Sequence, residues 1–216
     1  MPVITIFSSS FCGQEAVIQD LVESTGHALL TDEDLLEEAA RVSGIPVPKI
    51  RTAFTSRSSV FNRFTREKER SIAGLRLAVA RALEKGDVLL AGFSALLIPR
   101  QVSHVLRVGL VAGTGFRLDL AQETGSLTSE QAEERIREDD ENRAAWTNAL
   151  FSVPDPWDTR LYDLLIPMEN NRTGQAAALV KENLLKKALR PTDQSLTAAR
   201  DFHLAARVQA ALANAG

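Results

Sequence analysis

The pattern of apolar residues at the start of the chain predicts a strand, a short loop and a helix. The run Val3-Ile4-Thr5-Ile6-Phe7 is almost continuously apolar and β-branched, which is typical of a central strand covered on both faces. After Gly13 the period changes, and one helical face becomes apolar until Gly26, with Ala16, Val17, Leu21 and Val22 as its members. The residues from Ser8 to Gly13 therefore form the predicted loop.

A second helix is predicted to begin at an acidic segment. A brief apolar run from Ala28 to Leu30 leads into Thr31-Asp32-Glu33-Asp34. The threonine hydroxyl and the carboxylates suit a helix start, because they satisfy free amide groups and the positive end of the helix dipole. We expect this helix to continue to about Ser43.

The middle of the chain predicts one long helix followed by two buried strands. The segment from Ser58 to Glu84 has helical spacing and ends at Gly86. Its apolar positions include Val60, Phe61, Phe64, Ile72, Leu75 and Val79. The strands are predicted at Asp87 to Ala91 and at Val105 to Ala112, where the sequence is again almost entirely apolar.

The last third of the chain predicts three helices and one strand. Thr128-Ser129-Glu130-Gln131 has the form of a capping box, and it opens a highly charged helix that continues through Trp146 or beyond. Leu161 to Met168 is a final apolar run, and Thr173 to Leu189 has helical spacing. Thr192 to the end predicts an Ala-rich amphipathic helix.

Strands that alternate with helices indicate right-handed crossovers and a parallel sheet. We therefore predict an α/β fold, a three-layer sandwich with a central parallel sheet of about five strands. Residues 1–189 are expected to form one domain, with residues 190–216 as a C-terminal helical appendage.

The composition narrows the class of protein. Of the 216 residues, 44% are hydrophobic and 25% are charged, as in an ordinary globular domain. The net charge of −3 gives no reason to expect a nucleic acid or an anionic membrane as the main partner. Cys12 is the only cysteine, and the chain shows no secretory leader or spanning stretch, so we expect a cytoplasmic protein. No metal site is expected, because the three histidines, His27, His104 and His203, lack metal-ligand spacing.

The loop after the first strand is the first candidate site, because open parallel sheets bind ligands at the carboxyl ends of their strands. It reads Ser8-Ser9-Ser10-Phe11-Cys12-Gly13-Gln14-Glu15. A phosphate loop has Gly, four residues, Gly, Lys and then Ser or Thr; its amides hold phosphates, its lysine reaches them and its hydroxyl holds magnesium. Aligning Gly13 with the second glycine places Ser8 at the first glycine.

In this alignment Gln14 stands at the lysine position and Glu15 at the hydroxyl position. Glu15 then brings negative charge to the place of a triphosphate, which disfavours ATP binding in the usual manner. Amides at the helix start can still hold an anion. We predict phosphate contacts for Ser8, Ser9, Ser10, Cys12, Gly13, Gln14 and Glu15, while these residues alone also fit a tight strand-to-helix turn.

Residues 3 to about 185 resemble the cytidylate-kinase-like family, a branch of the nucleoside monophosphate kinases. The opening Ile4-Thr5-Ile6, the acidic start at Thr31 to Leu36 and the strand from Val88 to Phe93 resemble parts of that family. The strongest likeness is in the charged helix, where Ile136, Asp140 and Arg143 repeat the family spacing; the segments Val105 to Arg117 and Leu161 to Ile166 resemble its later strands.

The resemblance implies a P-loop nucleotide kinase with a helical lid, ATP and Mg²⁺ as cofactors, and a CMP-like acceptor. It implies acceptor contacts for Asp32, Asp140 and Arg143. Residues three apart share a helix face, which agrees with a joint role for Asp140 and Arg143. Arg117, Arg137 and Arg143 are expected to neutralise the charge of the transferred phosphoryl group.

Departures from the family bear on catalysis. Where cytidylate kinases carry an arginine, this chain has Ile136, and the family's Gly-Arg pair is here Gly92-Phe93. Together with Gln14, these changes remove positive charge that phosphoryl transfer needs. The segment Arg135 to Arg143 also fits a plain solvated helix face with i,i+4 ion pairs.

Two functions follow from these observations, and a purely structural scaffold or dimerisation module is a third possibility. One is phosphoryl transfer from a nucleoside triphosphate to a CMP-like nucleoside monophosphate. The other is an inactive domain that binds a nucleotide or another anion and serves as a sensor or interaction module. The C-terminal tail resembles weakly the first helix of a BON module, through Asp201 and Ala206 to Leu212. The sequence leaves open whether the chain forms a homodimer.

Overall fold

The computed structural model describes residues 2–55, 66–125, 127–171 and 173–215. Five strands are present in this part of the chain: β1 (Val3–Ser8), β2 (Ala28–Thr31), β3 (Val88–Ala91), β4 (Val105–Val111) and β5 (Leu164–Pro167). The longer helices are α1 (Gln14–Thr25), α2 (Asp32–Ser43), α3 (Val47–Arg51), α4 (Arg66–Lys85), α5 (Thr114–Gly125), α6 (Ser129–Phe151), α7 (Thr173–Leu184) and α8 (Asp193–Ala215).

The five strands form one parallel sheet in the order β2-β3-β1-β4-β5. At the centre, Thr5 of β1 pairs with Leu90 of β3 on one side and with Arg107 of β4 on the other. Because all strands run the same way, their carboxyl ends meet at one edge of the sheet. The predicted three-layer α/β sandwich with a central parallel sheet is confirmed.

Two apolar layers cover the sheet. On one face the core includes Leu36 of α2, Leu75 of α4 and Trp146 of α6. On the other face Val17 and Leu21 of α1 and the apolar side of α7 pack against the sheet. The continuous apolar pattern of β1 follows directly from this arrangement, since both of its faces are buried.

Most of the helix ends follow the signals in the sequence. Thr31 caps α2 and Thr128 caps α6, each with a complete capping box. Gly26 and Gly44 end α1 and α2 in the left-handed conformation. Of the predicted helix over 58–84, the part from Arg66 is observed as α4, while residues 58–65, with Val60, Phe61 and Phe64, lie outside the described residues.

Two predicted elements are longer than the observed ones. Of the apolar run over 161–168, only Leu164–Pro167 forms a strand, because Asp158 accepts a hydrogen bond from the Arg160 amide and begins a 3-10 turn that includes Leu161. Helix α7 ends at Leu184 instead of Leu189. Leu185 is 82% exposed, so the apolar face that holds α7 on the sheet does not continue.

The C-terminal helix α8 packs along α4. Phe202, Ala206 and Ala210 of α8 are buried in the same core as α2 and α4. His203 also contacts Glu84. The boundary at residue 190 stays a prediction, although α8 shares the core of the preceding residues. Among the described helices, none is long and apolar enough to cross a membrane.

Candidate functional site

The loop after β1 lies at the carboxyl edge of the sheet and leads directly into α1. Two of its residues have positive φ, Phe11 at 55° and Gly13 at 81°. Glycine adopts this left-handed conformation without steric cost, whereas phenylalanine adopts it only under strain from its surroundings. The loop therefore turns tightly, and its last amides lie at the start of α1, where the helix dipole is positive. We call residues 8–14 the phosphate loop.

The side chain of Gln14 folds back over the phosphate loop. Its Oε1 accepts a hydrogen bond from the Cys12 backbone amide at 3.3 Å and lies 3.4 Å from Cys12 Sγ. Its Nε2 donates to the carboxylate of Glu15 at 2.6 Å. One amide of the phosphate loop is thus satisfied by the side chain that stands at the lysine position.

Cys12 is fully buried beneath the loop. Burial raises the pKa of its thiol to about 11, and the carboxylate of Glu15 adds to this effect. A thiol with a raised pKa is not a nucleophile near neutral pH. Cys12 therefore fills space below the phosphate loop.

Arg117 of α5 joins the phosphate loop to α6. Its Nε donates to the Ser10 carbonyl oxygen at 2.8 Å, and its Nη2 donates to Ser10 Oγ at 2.9 Å. Both terminal nitrogens also donate to the two oxygens of Asp140, each at 2.8 Å. Because Arg117 is only 3% exposed, the guanidinium of this bidentate ion pair is largely shielded from water.

Arg143, one turn along α6 from Asp140, holds the other end of the phosphate loop. Its Nε donates to the Ser8 carbonyl oxygen at 2.6 Å, and its Nη1 donates to the Asp139 carbonyl oxygen at 2.9 Å. The guanidinium lies over the ring of Phe93, 5.4 Å from the centroid. Burial lowers the pKa of Arg143, and the carboxylates of Asp139 and Asp140 oppose the shift.

Asp32, at the start of α2, binds the backbone that follows β3. Its two carboxylate oxygens accept hydrogen bonds from the amides of Phe93 and Ser94, at 2.8 and 2.9 Å. Burial raises the pKa of Asp32, and these two amides oppose the shift. Gly92 makes the approach possible, because a Cβ there would lie 2.1 Å from Asp32 Oδ2.

Arg137 and Arg135 lie on the solvent side of α6. Arg137 donates to Glu141 at 2.9 Å, and Arg135 lies 3.4 Å from Asp139. Both arginine side chains are 61% exposed, so these i,i+4 ion pairs are weak and readily exchanged for another anion. The structure does not bring Arg137 into contact with the phosphate loop.

An open cleft of about 1060 Å³ adjoins the phosphate loop, between α5 and the chain that follows β5. Phe116, Leu120 and Met168 supply apolar walls. Glu15 and Glu169 contribute carboxylates, and within the part of the chain that is described no lysine or arginine lines the cleft. The apolar walls suit the faces of a ring, and the two carboxylates favour a cation close to any bound phosphate.

Several site features had no sequence signal of their own. Nothing in the sequence indicates that the carbonyls of Ser8 and Ser10 bind arginines from a segment more than 100 residues away. The sequence also gives no sign that the Gln14 side chain folds over the Cys12 amide. The glycine directly after β3 could have indicated the close approach of Asp32, because such a glycine often marks a place where another group comes near the backbone.

Comparison with known protein families shows which family the chain belongs to. Residues 3–170 match the cytidylate kinase-like family. The chain belongs to this family. The predicted recognition is thereby confirmed over most of the chain. The match ends before α8, and the resemblance of that helix to a BON module has no support from it.

The fold resembles that of a solved structure with a TM-score above 0.5, and two other solved structures have lower TM-scores. An uncharacterized protein from Eubacterium ventriosum has a TM-score of 0.63 at 15% identity, covering 85% of this chain and 98% of its own. Shikimate kinase from Bacteroides thetaiotaomicron has a TM-score of 0.46 at 11% identity, over 85% and 98% of the two chains. A gluconokinase from Sinorhizobium meliloti has 0.43 at 12%, over 96% and 97%. No curated protein sequence matches this chain.

This member of the cytidylate kinase-like family has the predicted α/β fold with a five-stranded parallel sheet. We call α5 and α6 the lid, after the helical lid that the family resemblance predicts. Asp140, Arg117 and Arg143 all lie at the phosphate loop, while Asp32 lies at the end of β3. Their predicted roles toward a nucleotide stay predictions.

Proposed function

We propose that the chain binds a nucleotide at the phosphate loop and transfers a phosphoryl group from a nucleoside triphosphate to a CMP-like nucleoside monophosphate. The observation that carries this proposal is the double attachment of the phosphate loop to the lid. Arg117 binds Ser10 and Asp140, and Arg143 binds Ser8. Phosphoryl transfer depends almost wholly on positioning and electrostatics, and these contacts position the loop.

In this proposal the donor phosphates lie against the amides from Ser10 to Gln14 at the start of α1. The Ser9 amide, which the sequence also assigns to phosphate, instead donates to the Leu110 carbonyl oxygen at 2.9 Å. Helix-N-terminal amides and the dipole supply partial positive charge that requires no lysine. Arg117 and Arg143 act by holding the loop carbonyls away from the phosphates. Arg137, whose pair with Glu141 is exposed, would neutralise phosphate charge when the lid closes.

Acceptor binding is assigned to Asp32, Asp140 and Arg143. Asp32 and Asp140 each retain acceptor capacity on their oxygens, because a carboxylate accepts about four hydrogen bonds. Either could receive the amino or hydroxyl groups of a CMP-like acceptor. Since Arg143 carries positive charge beside Asp140, it would receive the acceptor's phosphate.

ATP and Mg²⁺ are the cofactors that this proposal requires. The carboxylates of Glu15 and Glu169 line the cleft, and carboxylate oxygens are ligands that Mg²⁺ prefers. These residues therefore fit a magnesium-bound nucleotide better than a free triphosphate, which they would repel. When bound, the metal ion supplies neutralisation of phosphate charge. The cytoplasm provides both cofactors and is the compartment we propose.

A second candidate is favoured by one specific observation, the position of the Gln14 side chain. It already satisfies the Cys12 amide, and it also bonds Glu15, which stands at the hydroxyl position. A loop filled in this way can bind a nucleotide or another anion weakly without turning it over. The chain would then act as a sensor or interaction module.

Calorimetry and a coupled ADP-release assay, run on the same preparation, test both candidates. ATP with magnesium and each nucleoside monophosphate are titrated separately, and turnover is measured with all pairs. Turnover with a pyrimidine monophosphate supports transfer. Binding without turnover supports the second candidate, and an absence of binding for every nucleotide contradicts both. Sedimentation of the same samples tests for a homodimer.

A further inference from the structure

A second cavity lies apart from the phosphate loop, on the face of the sheet that α8 covers. Its volume is about 480 Å³. It is bounded by the chain from Leu96 to Arg100, by Arg107 of β4 and by α8. Phe202 of α8 forms part of its wall. The phosphate loop contributes no residue to it, so a ligand here would be independent of the nucleotide cleft.

Four arginines line this cavity: Arg76, Arg100, Arg107 and Arg160. Among its described lining residues none is acidic. Just outside it, Asp163 lies 3.3 Å from Arg100 and 4.0 Å from Arg107, and Asp158 pairs with Arg160. Four guanidinium groups thus face two neighbouring carboxylates, in a chain whose net charge is −3. The cavity is a local concentration of positive charge.

Arg107 is the buried member of the group. It is 7% exposed, and its terminal nitrogens donate to the carbonyl oxygens of Pro99, Val102 and Val105 at 2.8 to 3.3 Å. Burial lowers the pKa of Arg107 to about 10, the carboxylate of Asp163 opposes the shift, and the positive charge of Arg100 adds to it. An anion in the cavity would add a further counter-charge to this group of arginines.

The more exposed arginines keep donors for a ligand. A guanidinium has five N–H groups. Arg76 uses one of them on Gln209 at 3.2 Å, and Arg100 donates to Asp163 and to the Arg160 carbonyl oxygen. The remaining N–H groups of both arginines can bind a planar anionic group in the forked geometry that suits carboxylates and phosphates.

The opposite wall is apolar. It is formed by Leu96, Leu97, Leu161, Phe151 and Phe202. Phe151 is 43% exposed, so part of its side chain is accessible to a ligand. A cavity with apolar walls and a few convergent polar groups is the usual form of a small-molecule site.

From this combination we propose that the cavity binds a small organic anion with an apolar ring body and a carboxylate or phosphate head. The head is held by Arg100 and Arg76, and the ring lies against Leu97, Phe151 and Phe202. Because α8 forms one wall, such a ligand joins α8 to the rest of the chain.

Two fluorescent probes, 2-naphthoate and 2-naphthyl phosphate, test this proposal on the full chain, with uncharged 2-naphthamide for comparison. We expect saturable binding of at least one anionic probe, at least tenfold tighter than the amide, and the preferred head identifies the ligand class. Arg100→Gln should weaken binding about tenfold, because it removes a charge-assisted hydrogen bond. Ala205→Trp, at an exposed α8 position on the cavity wall, should weaken it at least as much by filling the space.

The matched control is Arg200→Gln, which removes the same charge from an exposed position of α8 outside the cavity. It should change the affinity less than twofold. Equal affinities in the three variants, or no saturable binding of either anionic probe below about 10 mM, would overturn the proposal. Failure of nucleotide binding leaves this result unaffected, since all the substitutions lie outside the phosphate loop.

Discussion

Both oxygens of Asp140 receive hydrogen bonds from Arg117, each at 2.8 Å, and the same guanidinium holds Ser10 of the phosphate loop. The lid and the loop are therefore one hydrogen-bonded unit. The Arg117 side chain is 4% exposed and the Asp140 side chain is 40% exposed, so the arginine is buried and water reaches the aspartate.

Removing this arginine should cost considerable stability. We expect Arg117→Met to lower the free energy of unfolding by about 3 kcal/mol, because it leaves the Asp140 carboxylate and the Ser10 carbonyl without their partner. Asp140→Asn should cost about 2 kcal/mol, because the buried Arg117 cation loses its counter-charge while the amide oxygen still accepts one of its hydrogen bonds. Urea unfolding monitored by tryptophan fluorescence measures both.

The control for this pair is Arg137→Met, on the same lid but 61% exposed and paired with Glu141. It should change stability by no more than about 0.5 kcal/mol. If Arg117→Met costs no more than Arg137→Met, the attachment of the loop to the lid is not a stabilising feature.

The side chain of Gln14 should limit nucleotide affinity. The double variant Gln14→Lys with Glu15→Thr frees the Cys12 amide and restores both chemical groups of a regular phosphate loop. We expect ATP with magnesium to bind about tenfold tighter or more, since the introduced lysine would add a charge-assisted contact to phosphate and the threonine hydroxyl would take the metal contact proposed for Glu15. Calorimetry gives the affinity directly.

A matched control adds the same charge elsewhere on α1. The double variant Gln19→Lys with Glu23→Thr makes the same two charge changes on the exposed face, where Gln19 bonds Glu23 at 2.9 Å. Its ATP affinity should stay within twofold of the unmodified chain. An equal gain in both variants would point to a general charge effect and against a phosphate site at the loop.

The close approach of Asp32 to Gly92 makes that glycine intolerant of a side chain. Gly92 has φ of 121°, and a Cβ would lie 2.1 Å from Asp32 Oδ2. Gly92→Ala should therefore lower the free energy of unfolding by about 3 kcal/mol or more, from backbone strain and from loss of the contacts to Phe93 and Ser94.

Gly115→Ala in α5 is the comparison, because a Cβ there meets nothing within 4 Å. It should leave stability unchanged or raise it by about 0.5 kcal/mol, as alanine favours a helix over glycine. Thermal unfolding of the two variants side by side separates them. Equal, small effects would show that Asp32 can move away freely.

His104 should make the fold less stable in acid. Burial lowers the pKa of His104, and the nearby Arg107 adds to the shift, while its Nδ1 lies 2.5 Å from Ser195 Oγ of α8. A folded state with a lowered histidine pKa binds fewer protons than the unfolded state. The contribution of His104 to the free energy of unfolding is complete above the ordinary histidine pKa near 6.5. It falls as the pH drops from there toward the lower pKa of His104 in the folded state.

The test is His104→Asn, which keeps a polar group near Ser195 and removes the titration. The difference in unfolding free energy between pH 7 and pH 5 should be smaller in this variant than in the unmodified chain. The control is His203→Asn, which removes a histidine whose side chain is 19% exposed and contacts Glu84. An unchanged pH profile in His104→Asn would contradict the assignment.

The sequence by itself determined the elements that depend on local physics. Capping boxes at Thr31 and Thr128 predicted the starts of α2 and α6, and the change of apolar period after Gly13 predicted the start of α1. The buried character of β1 followed from its unbroken apolar run. Family spacing in α6 pointed to Asp140 and Arg143, which do lie at the loop.

Only the tertiary structure decided what the polar groups of the site do. Arg117 and Ser10 are 107 residues apart, and Gly92 and Asp32 are 60 residues apart, so no local pattern could indicate which groups meet, although Gly92 marks a place where some group comes near. The four arginines of the cavity, Arg107 among them, come from separate elements as well. Local propensities act over a few residues, whereas a charge finds its partner only when the whole chain has packed; the chemistry of this site is therefore a product of the fold.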